Sequence, residues 1–246
     1  MYLVKNIYSV INIDIVNSRK ITHRDAFQEQ LKAYLNALSQ QYAAVLVAPI
    51  TITLGDEWQI VLKDIGESYN ICMNVQQYLT QLGATCYCGI GIGEMSTRES
   101  QDTREMDGQA FILARESLNI AKCNKNAYSK MIPTKDCKIF FKGPNLSEAT
   151  GQGQEEDFTH IIFEDIINNI IQNNETHLKK ITRVQQQVIN AYEELGSYSA
   201  VENKEKISKS NVSNRLKASN YWLIEANRQM IGKLLKQYEI TLKRGV

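Results

Sequence analysis

The sequence has no long apolar run and no pronounced excess of one charge. None of its apolar stretches approaches the ~18 residues that a membrane-spanning helix needs, and its start carries no signal-peptide pattern. We therefore expect a cytoplasmic protein with no membrane partner. The formal net charge is +1 over 246 residues, so any surface that attracts nucleic acid must be local.

The cysteines and histidines also give no sign of a site. The five cysteines are odd in number and contain no Cys-x-x-Cys pair, so neither a disulfide framework nor a zinc site is expected. Cys86 and Cys88 lie two apart in a predicted strand and should share a buried face. The three histidines are scattered without ligand spacing, and no Ser-His-Asp or Cys-His pattern is visible.

What is present is an alternation of strand and helix patterns over residues 1–145, which we take as one domain. The predicted strands are 6–14, 49–54, 58–63, 84–93 and 137–142, and the predicted helices are 22–42, 67–82 and 108–124. This order indicates an α+β domain with a mainly antiparallel sheet and helices on one face. Residues 146–156 are polar, and we interpret them as a linker. Residues 157–246 are predicted to form a second, all-helical domain.

Two acidic residues lie at the ends of apolar strand patterns. Asp14 closes the run Ile-Tyr-Ser-Val-Ile-Asn-Ile, and Asp56 lies beside Glu57 at the tip of the predicted hairpin. Mg²⁺ and Mn²⁺ prefer carboxylate and carbonyl oxygens and often complete their shell with substrate phosphates. The two aspartates could hold such ions beneath a nucleoside triphosphate. Each acid alone could equally be a turn or capping residue.

The turn that follows the first strand offers contacts for phosphate. Asn17, Ser18 and Arg19 come shortly after the first aspartate and lead into the next predicted helix. Backbone amides at a helix N-terminus can face an anion, and Arg19 would add positive charge. These three residues are predicted nucleotide contacts.

Four segments carry a resemblance to a known family. They are Ile-Asp-Ile-Val-Asn-Ser-Arg at 13–19, Thr-Leu-Gly-Asp-Glu-Trp-Gln at 53–59, Gly-Ile-Gly-Ile-Gly-Glu at 89–94 and Asp-Gly-Gln-Ala-Phe-Ile-Leu-Ala-Arg at 107–115. With these segments the sequence resembles the SatD family over nearly its whole length. The family name implies little about function.

More distantly, the order of features is similar to the ferredoxin-like, palm-type catalytic domain of class III nucleotide cyclases and GGDEF diguanylate cyclases. That resemblance implies metal ligands at Asp14, at the carbonyl of Ile15 and at Asp56. Glu57 stands in the place of the glutamate of the GGDEF signature. The resemblance therefore implies catalytic roles for Asp14, Asp56 and Glu57.

The third predicted helix carries two cationic candidates and one departure from the cyclase pattern. Arg115 follows an alanine where GGDEF proteins have an Ala-Lys pair that contacts phosphate, and Lys122 is a further predicted nucleotide contact. Both residues also fit a solvated helix face. Class III cyclases have an asparagine where this chain has Phe111, and Leu54 breaks the Gly-Gly pair of GGDEF. These departures argue against diguanylate cyclase chemistry and weaken the hypothesis that the protein is a nucleotide cyclase.

The second domain contains a pattern typical of a helix-turn-helix module. A helix is predicted over 182–195 and another over 220–238. Between them, Ile-Ser-Lys-Ser-Asn-Val-Ser-Asn-Arg-Leu-Lys at 207–217 is similar to a run found in many bacterial regulators. Val212 and Leu216 would face inward.

The outward side of this second helix would carry short polar and basic groups. The predicted contacts to base edges and phosphates are Lys209, Ser210, Asn211, Ser213, Asn214 and Lys217. Between Lys204 and Arg244, ten Lys or Arg residues stand against three acidic ones. This local basic surface fits double-stranded DNA, although a helical module for protein contacts is the alternative.

Our leading hypothesis is a Mg²⁺- or Mn²⁺-dependent protein that binds a nucleoside triphosphate and carries a DNA-binding module, assembled as a homodimer. If it is an enzyme, a nucleotide cyclase or another NTP-converting activity at phosphorus, one ion would activate a ribose hydroxyl or water. One alternative is a non-catalytic, nucleotide-sensing transcriptional regulator, which Phe111 favours. Another is a protein-interaction scaffold with a degenerate site.

Overall fold

A mixed five-stranded sheet forms the first part of the molecule. The computed structural model describes residues 6–54, 56–123, 137–144 and 158–244, so the predicted linker over 146–156 lies outside the described residues. The strands are β1 (Tyr8–Ile15), β2 (Thr51–Leu54), β3 (Glu57–Leu62), β4 (Cys86–Gly93) and β5 (Ile139–Lys142). The helices between them are α1 (Arg24–Gln41), α2 (Ser68–Gln81) and α3 (Gln109–Cys123). Each element lies within about two residues of its predicted bounds.

The strands are ordered β2-β3-β1-β4-β5, with β1 in the middle. All neighbouring pairs are antiparallel except β4 and β5, which run parallel. The predicted α+β class with a mainly antiparallel sheet is therefore confirmed. The parallel pair arises because α3 carries the chain over the sheet between β4 and β5, as a parallel connection requires.

Helices cover both faces of the sheet, which corrects the prediction that they share one face. Successive side chains of a strand point to opposite faces. Ile11 and Ile13 of β1 are buried in a large core with residues of α1 and α2. Val10 belongs instead to a second core with Ala110 and Ala114 of α3. The sequence pattern missed this because both faces of β1 are largely buried.

Glycines on β4 let α3 lie close against the strand. Gly89 and Gly91 are on the α3 face, and a Cβ at either position would collide with the backbone of α3 near Leu118 or Ala114. The alternating glycines therefore fix how deeply α3 is seated. A strand face without side chains allows another backbone to approach closely.

The rest of the described chain is helical. Its helices are α4 (Phe158–Leu178), α5 (Arg183–Leu195), α6 (Tyr198–Glu205), α7 (Lys209–Ala218) and α8 (Tyr221–Arg244). None of the helices in the described part of the chain is long and apolar enough to cross a membrane.

Two of these helices complete the core of the sheet. Ile167 and Ile171 of α4, together with Ile231 and Leu235 of α8, belong to the same buried cluster as the α1 and α2 residues. The predicted domain boundaries stay a prediction. What the structure adds is that the sheet and the helical segment share a hydrophobic core.

Helix α4 also covers the outer edge of β5. The Asn168 side chain accepts a hydrogen bond from the Phe141 amide and donates one to the Phe141 carbonyl, both at 2.9 Å. The buried Glu175 carboxylate accepts from the Lys138 amide at 2.6 Å. Unpaired edge groups would otherwise invite association with another strand.

Helices α5, α6 and α7 pack around a small separate core. Its fully buried members include Val188, Val201, Val212 and Leu216. A capping box at Thr182 begins α5. Val212 and Leu216 therefore face inward, as predicted.

The seating of α3 gives a stability prediction. Replacing Gly91 by Ala should lower the free energy of unfolding by about 2 kcal/mol or more, because the added methyl group meets helix backbone that cannot rotate away. Urea unfolding followed by circular dichroism measures the change. Gly83→Asn is the control: Gly83 has φ 72° and open space around it, and asparagine tolerates that conformation. Equal stability of Gly91→Ala and the parent protein would contradict the proposed role of the glycine.

Candidate functional site

The predicted site lies at the end of β1 on the α3 face of the sheet. Asp14 is paired in register with Glu57 of β3, so both side chains point toward α3. Lys122, in the last turn of α3, donates to Asp14 Oδ2 at 2.5 Å and to Glu57 Oε1 at 3.2 Å. Three elements thus bring two carboxylates and one ammonium group together.

Burial shapes the electrostatics of this cluster. It raises the pKa of Asp14 above its ordinary value, the Lys122 ammonium opposes the rise and the Glu57 carboxylate adds to it. Burial lowers the pKa of Lys122, but the bonds to Asp14 and Glu57 outweigh this effect, so the pKa is raised overall. The cluster therefore holds a cation between two acids in a partly desolvated position.

Asp56 occupies the hairpin tip beside this cluster and has a different partner. Its carboxylate accepts a hydrogen bond from the Ser18 hydroxyl. Its backbone carbonyl accepts from the Ile15 amide at 3.3 Å. The hairpin tip is thereby tied to the turn after β1, in which Asn17 has a left-handed backbone with φ 53°.

A cavity of about 500 Å³ opens beside this turn. It lies between the start of α1 and the turn that precedes β4, and its polar lining includes Asn17, Lys20, Thr22, His23 and Thr85. Asn17, which is a predicted nucleotide contact, therefore lines this cavity close to Asp56. Ser18 is largely buried against Asp56, and Arg19 is exposed in the same turn.

The two predicted cations of α3 have separate places. Lys122 meets the carboxylates, whereas Arg115 has no hydrogen bond or ion pair to another described residue and lines a groove with Asn12 and Gln59. The signal for Lys122 was present, because Ala121-Lys122 is a literal Ala-Lys pair. Residues seven apart lie on one stripe of a helix. Spacing alone therefore could not decide whether Arg115 or Lys122 meets the carboxylates.

The predicted DNA-contact residues lie on α7. Lys209, Ser210, Asn211, Asn214 and Lys217 are exposed, and Ser213 is half-buried. Helix α7 begins at its N-cap Ser208, whose hydroxyl accepts from the Asn211 amide. A three-residue turn, 206–208, separates it from α6.

The donor set suits a hard divalent cation only in part. Asp14 and Asp56 offer carboxylate oxygens from adjacent strands, and Ile15 is joined to Asp56 through the backbone. Within the described ranges, no three His, Cys, Asp or Glu side chains cluster closely enough to form a metal site alone. An ion held by these two carboxylates would need phosphate oxygens or water for the rest of its shell, as is common for Mg²⁺.

Fold and site together define an α+β protein with an acidic cluster and one lysine at the end of its central strand. The family model of the SatD family matches residues 8–139, more than half of the 246 residues. The chain therefore belongs to the SatD family. The match ends at the start of β5, so it is shorter than the resemblance suggested. A search of curated proteins found no match.

The raised pKa of Asp14 predicts a pH-dependent gain from removing its charge. Because the folded protein favours protonated Asp14, this residue destabilises the fold progressively as pH rises through and above the unfolded pKa of about 3.9. Asp14→Asn should therefore gain more stability relative to the parent protein at about pH 7 than at about pH 3. Urea unfolding at both pH values measures the difference. The exposed Asp25→Asn serves as control, and a gain independent of pH would contradict the assignment.

Proposed function

We propose that this protein binds a nucleoside triphosphate together with Mg²⁺ or Mn²⁺ at the end of β1. The observation that supports this proposal is the cluster of Asp14, Glu57 and Lys122 beside the hairpin aspartate Asp56. A triphosphate needs divalent cations and a protein cation around it, and this cluster offers sites for both.

The order of elements supports the proposal. The run β1-α1-β2-β3-α2-β4 has the strand order 2-3-1-4, which is the order expected of the split β-α-β arrangement in a ferredoxin-like fold. We propose that it is a palm-type domain. In such a domain the end of β1 and the β2–β3 hairpin carry the metal ligands, and here those positions are Asp14 and Asp56.

Each residue of the site receives a role in this proposal. Asp14, Asp56 and the carbonyl of Ile15 would hold the ion, which supplies charge neutralisation and Lewis acidity to the phosphates. Lys122 would turn from the carboxylates to a phosphate oxygen once the carboxylates hold a cation. The amides of residues 17–19 would meet phosphate, and the cavity lined by Thr22 and His23 would accept the base and ribose.

Turnover is a separate question from binding. Phe111 stands where cyclases orient the ribose, and it is only 7% exposed within the core on the α3 face. It therefore offers no polar group to a ribose, which supports a nucleotide sensor rather than a cyclase. Glu57 supports an enzyme, since an acid beside the metal ligands could assist proton transfer. A protein-interaction scaffold with a degenerate site would need neither metal nor DNA.

The test is binding of each of the four NTPs with Mg²⁺, with Mn²⁺ and with chelator, measured by calorimetry. We expect metal-dependent binding that Asp14→Asn and Asp56→Asn each weaken at least about tenfold, since each removes a charged ligand. Asp25→Asn, an exposed acid on α1, is the matched control. Absence of binding by the parent protein under every condition would overturn the proposal.

Product analysis of the same mixtures separates the alternatives. A new nucleotide, pyrophosphate or phosphate that disappears in both variants identifies an enzyme. Metal-dependent binding without product identifies a sensor. We also propose that the protein forms a homodimer, because related domains often assemble their sites across an interface. Sedimentation at several protein concentrations tests this.

We further propose that α6 and α7 form a helix-turn-helix module that binds double-stranded DNA. The observation in its favour is that the polar and basic side chains of α7 are exposed while Val212 and Leu216 are buried beneath them. A recognition helix needs this division, because its outer side enters the major groove.

Lysine substitutions on α7 test this second proposal. Lys209→Ala and Lys217→Ala should each weaken binding to a random-sequence duplex and lower the salt slope by about one. Fluorescence anisotropy at several salt concentrations measures both quantities. Lys32→Ala, an exposed lysine on α1, is the control. If both variants bind the duplex with unchanged affinity and unchanged salt slope, α7 is not part of the interface.

A further inference from the structure

A second polar groove lies on the α3 face and adjoins the acidic cluster at Glu57. It has two adjoining compartments of about 210 Å³ and about 420 Å³. Gln59, Arg104 and Arg115 line both compartments. We call this space the α3-face groove.

A buried donor without a partner faces the smaller compartment. Asn12 is 5% exposed, and its Oδ1 accepts from Gln59 Nε2 at 2.8 Å. That bond orients the amide, and Asn12 Nδ2 then has no hydrogen-bond partner within the described part of the chain. An unsatisfied buried donor destabilises the protein, so the position favours a ligand that supplies an acceptor.

The cations of the groove indicate the charge of that acceptor. Arg115 has no ion pair to any other residue in the described part of the chain. Arg104 is held beside the groove by Asp102, whose carboxylate accepts from Arg104 Nη2 at 2.6 Å. Glu57, the acidic residue that lines the smaller compartment, is paired with Lys122. Asp107 and Glu116 line the larger compartment, where Glu116 is paired with Lys142. In the smaller compartment the charge available to a ligand is therefore the positive charge of Arg115.

The larger compartment combines apolar groups with one more orphaned hydroxyl. Thr103 is 1% exposed, and its Oγ1 has no hydrogen-bond partner among the described residues. Met106, Phe111 and Ile112 contribute apolar surface to the same compartment. A ligand that fills both compartments would therefore have an oxyanion at one end and an apolar body at the other.

We propose that the α3-face groove is a binding site for a small organic oxyanion, a carboxylate or a phosphate monoester. Arg115 and Asn12 Nδ2 hold the oxyanion, and Met106 and Phe111 contact the body of the ligand. The site borders the nucleotide site at Glu57 but needs neither a divalent cation nor a nucleotide to bind its ligand. Arg115, predicted as a triphosphate contact, belongs to this groove instead.

The test follows Arg115 by nuclear magnetic resonance, using its Nε–H signal and the side-chain amide signals of Asn12. Inorganic phosphate and succinate are titrated separately into metal-free protein with chelator. We expect saturable shifts of both groups, and the probe that binds more tightly identifies the oxyanion. A ligand with an apolar body, such as phenyl phosphate or phenylacetate, should bind more tightly than the bare anion because of the larger compartment.

Two variants probe the two donors separately. Asn12→Asp keeps the acceptor for Gln59 but replaces the orphaned donor by a carboxylate oxygen, and Arg115→Gln removes the exposed cation. Each should weaken anion binding at least about tenfold. Arg183→Gln, an exposed arginine on α5, is the matched control. If Asn12→Asp does not fold, Arg115→Gln still decides the outcome.

The outcomes distinguish this site from the nucleotide site. Anion binding that persists in Asp56→Asn supports an independent groove, whatever becomes of nucleotide binding. Shifts of Arg115 that require Mg²⁺ and NTP, with none from the free anions, overturn the proposal and return Arg115 to the triphosphate. Absence of saturable shifts with every anion, or equal weakening by Arg183→Gln and Arg115→Gln, also overturns it.

Discussion

The close seating of α3 on the glycine-bare face of β4 is the constraint on which both candidate sites depend. Because Gly89 and Gly91 have no side chain, the helix backbone reaches the strand. Lys122 then reaches the carboxylates at the end of β1, and Arg115 lies over the polar middle of the sheet. A larger residue on β4 would lift the helix and weaken both arrangements.

Strand β1 carries two opposite demands on its two faces. Ile11 and Ile13 bury apolar surface against the helices of one face, which supplies stability. On the other face Asn12 is buried with an unpaired donor, and burial raises the pKa of Asp14. Both are costs that a purely structural strand would avoid, and such costs gather at functional sites. The polar end of β1 therefore carries the kind of cost that the proposed ligand sites would explain.

Period-two and helical spacing predicted nearly every element of the first 145 residues, because each strand and helix has a regular apolar face. The face on which α3 lies was mispredicted, since β1 is largely buried on both sides. The sequence offered both Arg115 and Lys122 as cations of the site and could not decide between them. Both residues share one stripe of α3, and only the crossing position of the helix decides which reaches the acids. Local composition likewise could not show that α4 and α8 return to the sheet.

Helix α8 gives the proposed regulator a physical connection between its parts. Tyr221 at its start belongs to the small core of α5, α6 and α7, whereas Leu235 and Tyr238 belong to the core of the sheet. The Tyr238 hydroxyl also donates to the Pro144 carbonyl, just beyond β5, at 2.7 Å. A single helix that contributes to two cores cannot shift in one without disturbing packing in the other, because packed cores deform little. The proposed sensor would use this shared packing, because a change in the sheet near α8 would alter the packing of α8 against α5, α6 and α7.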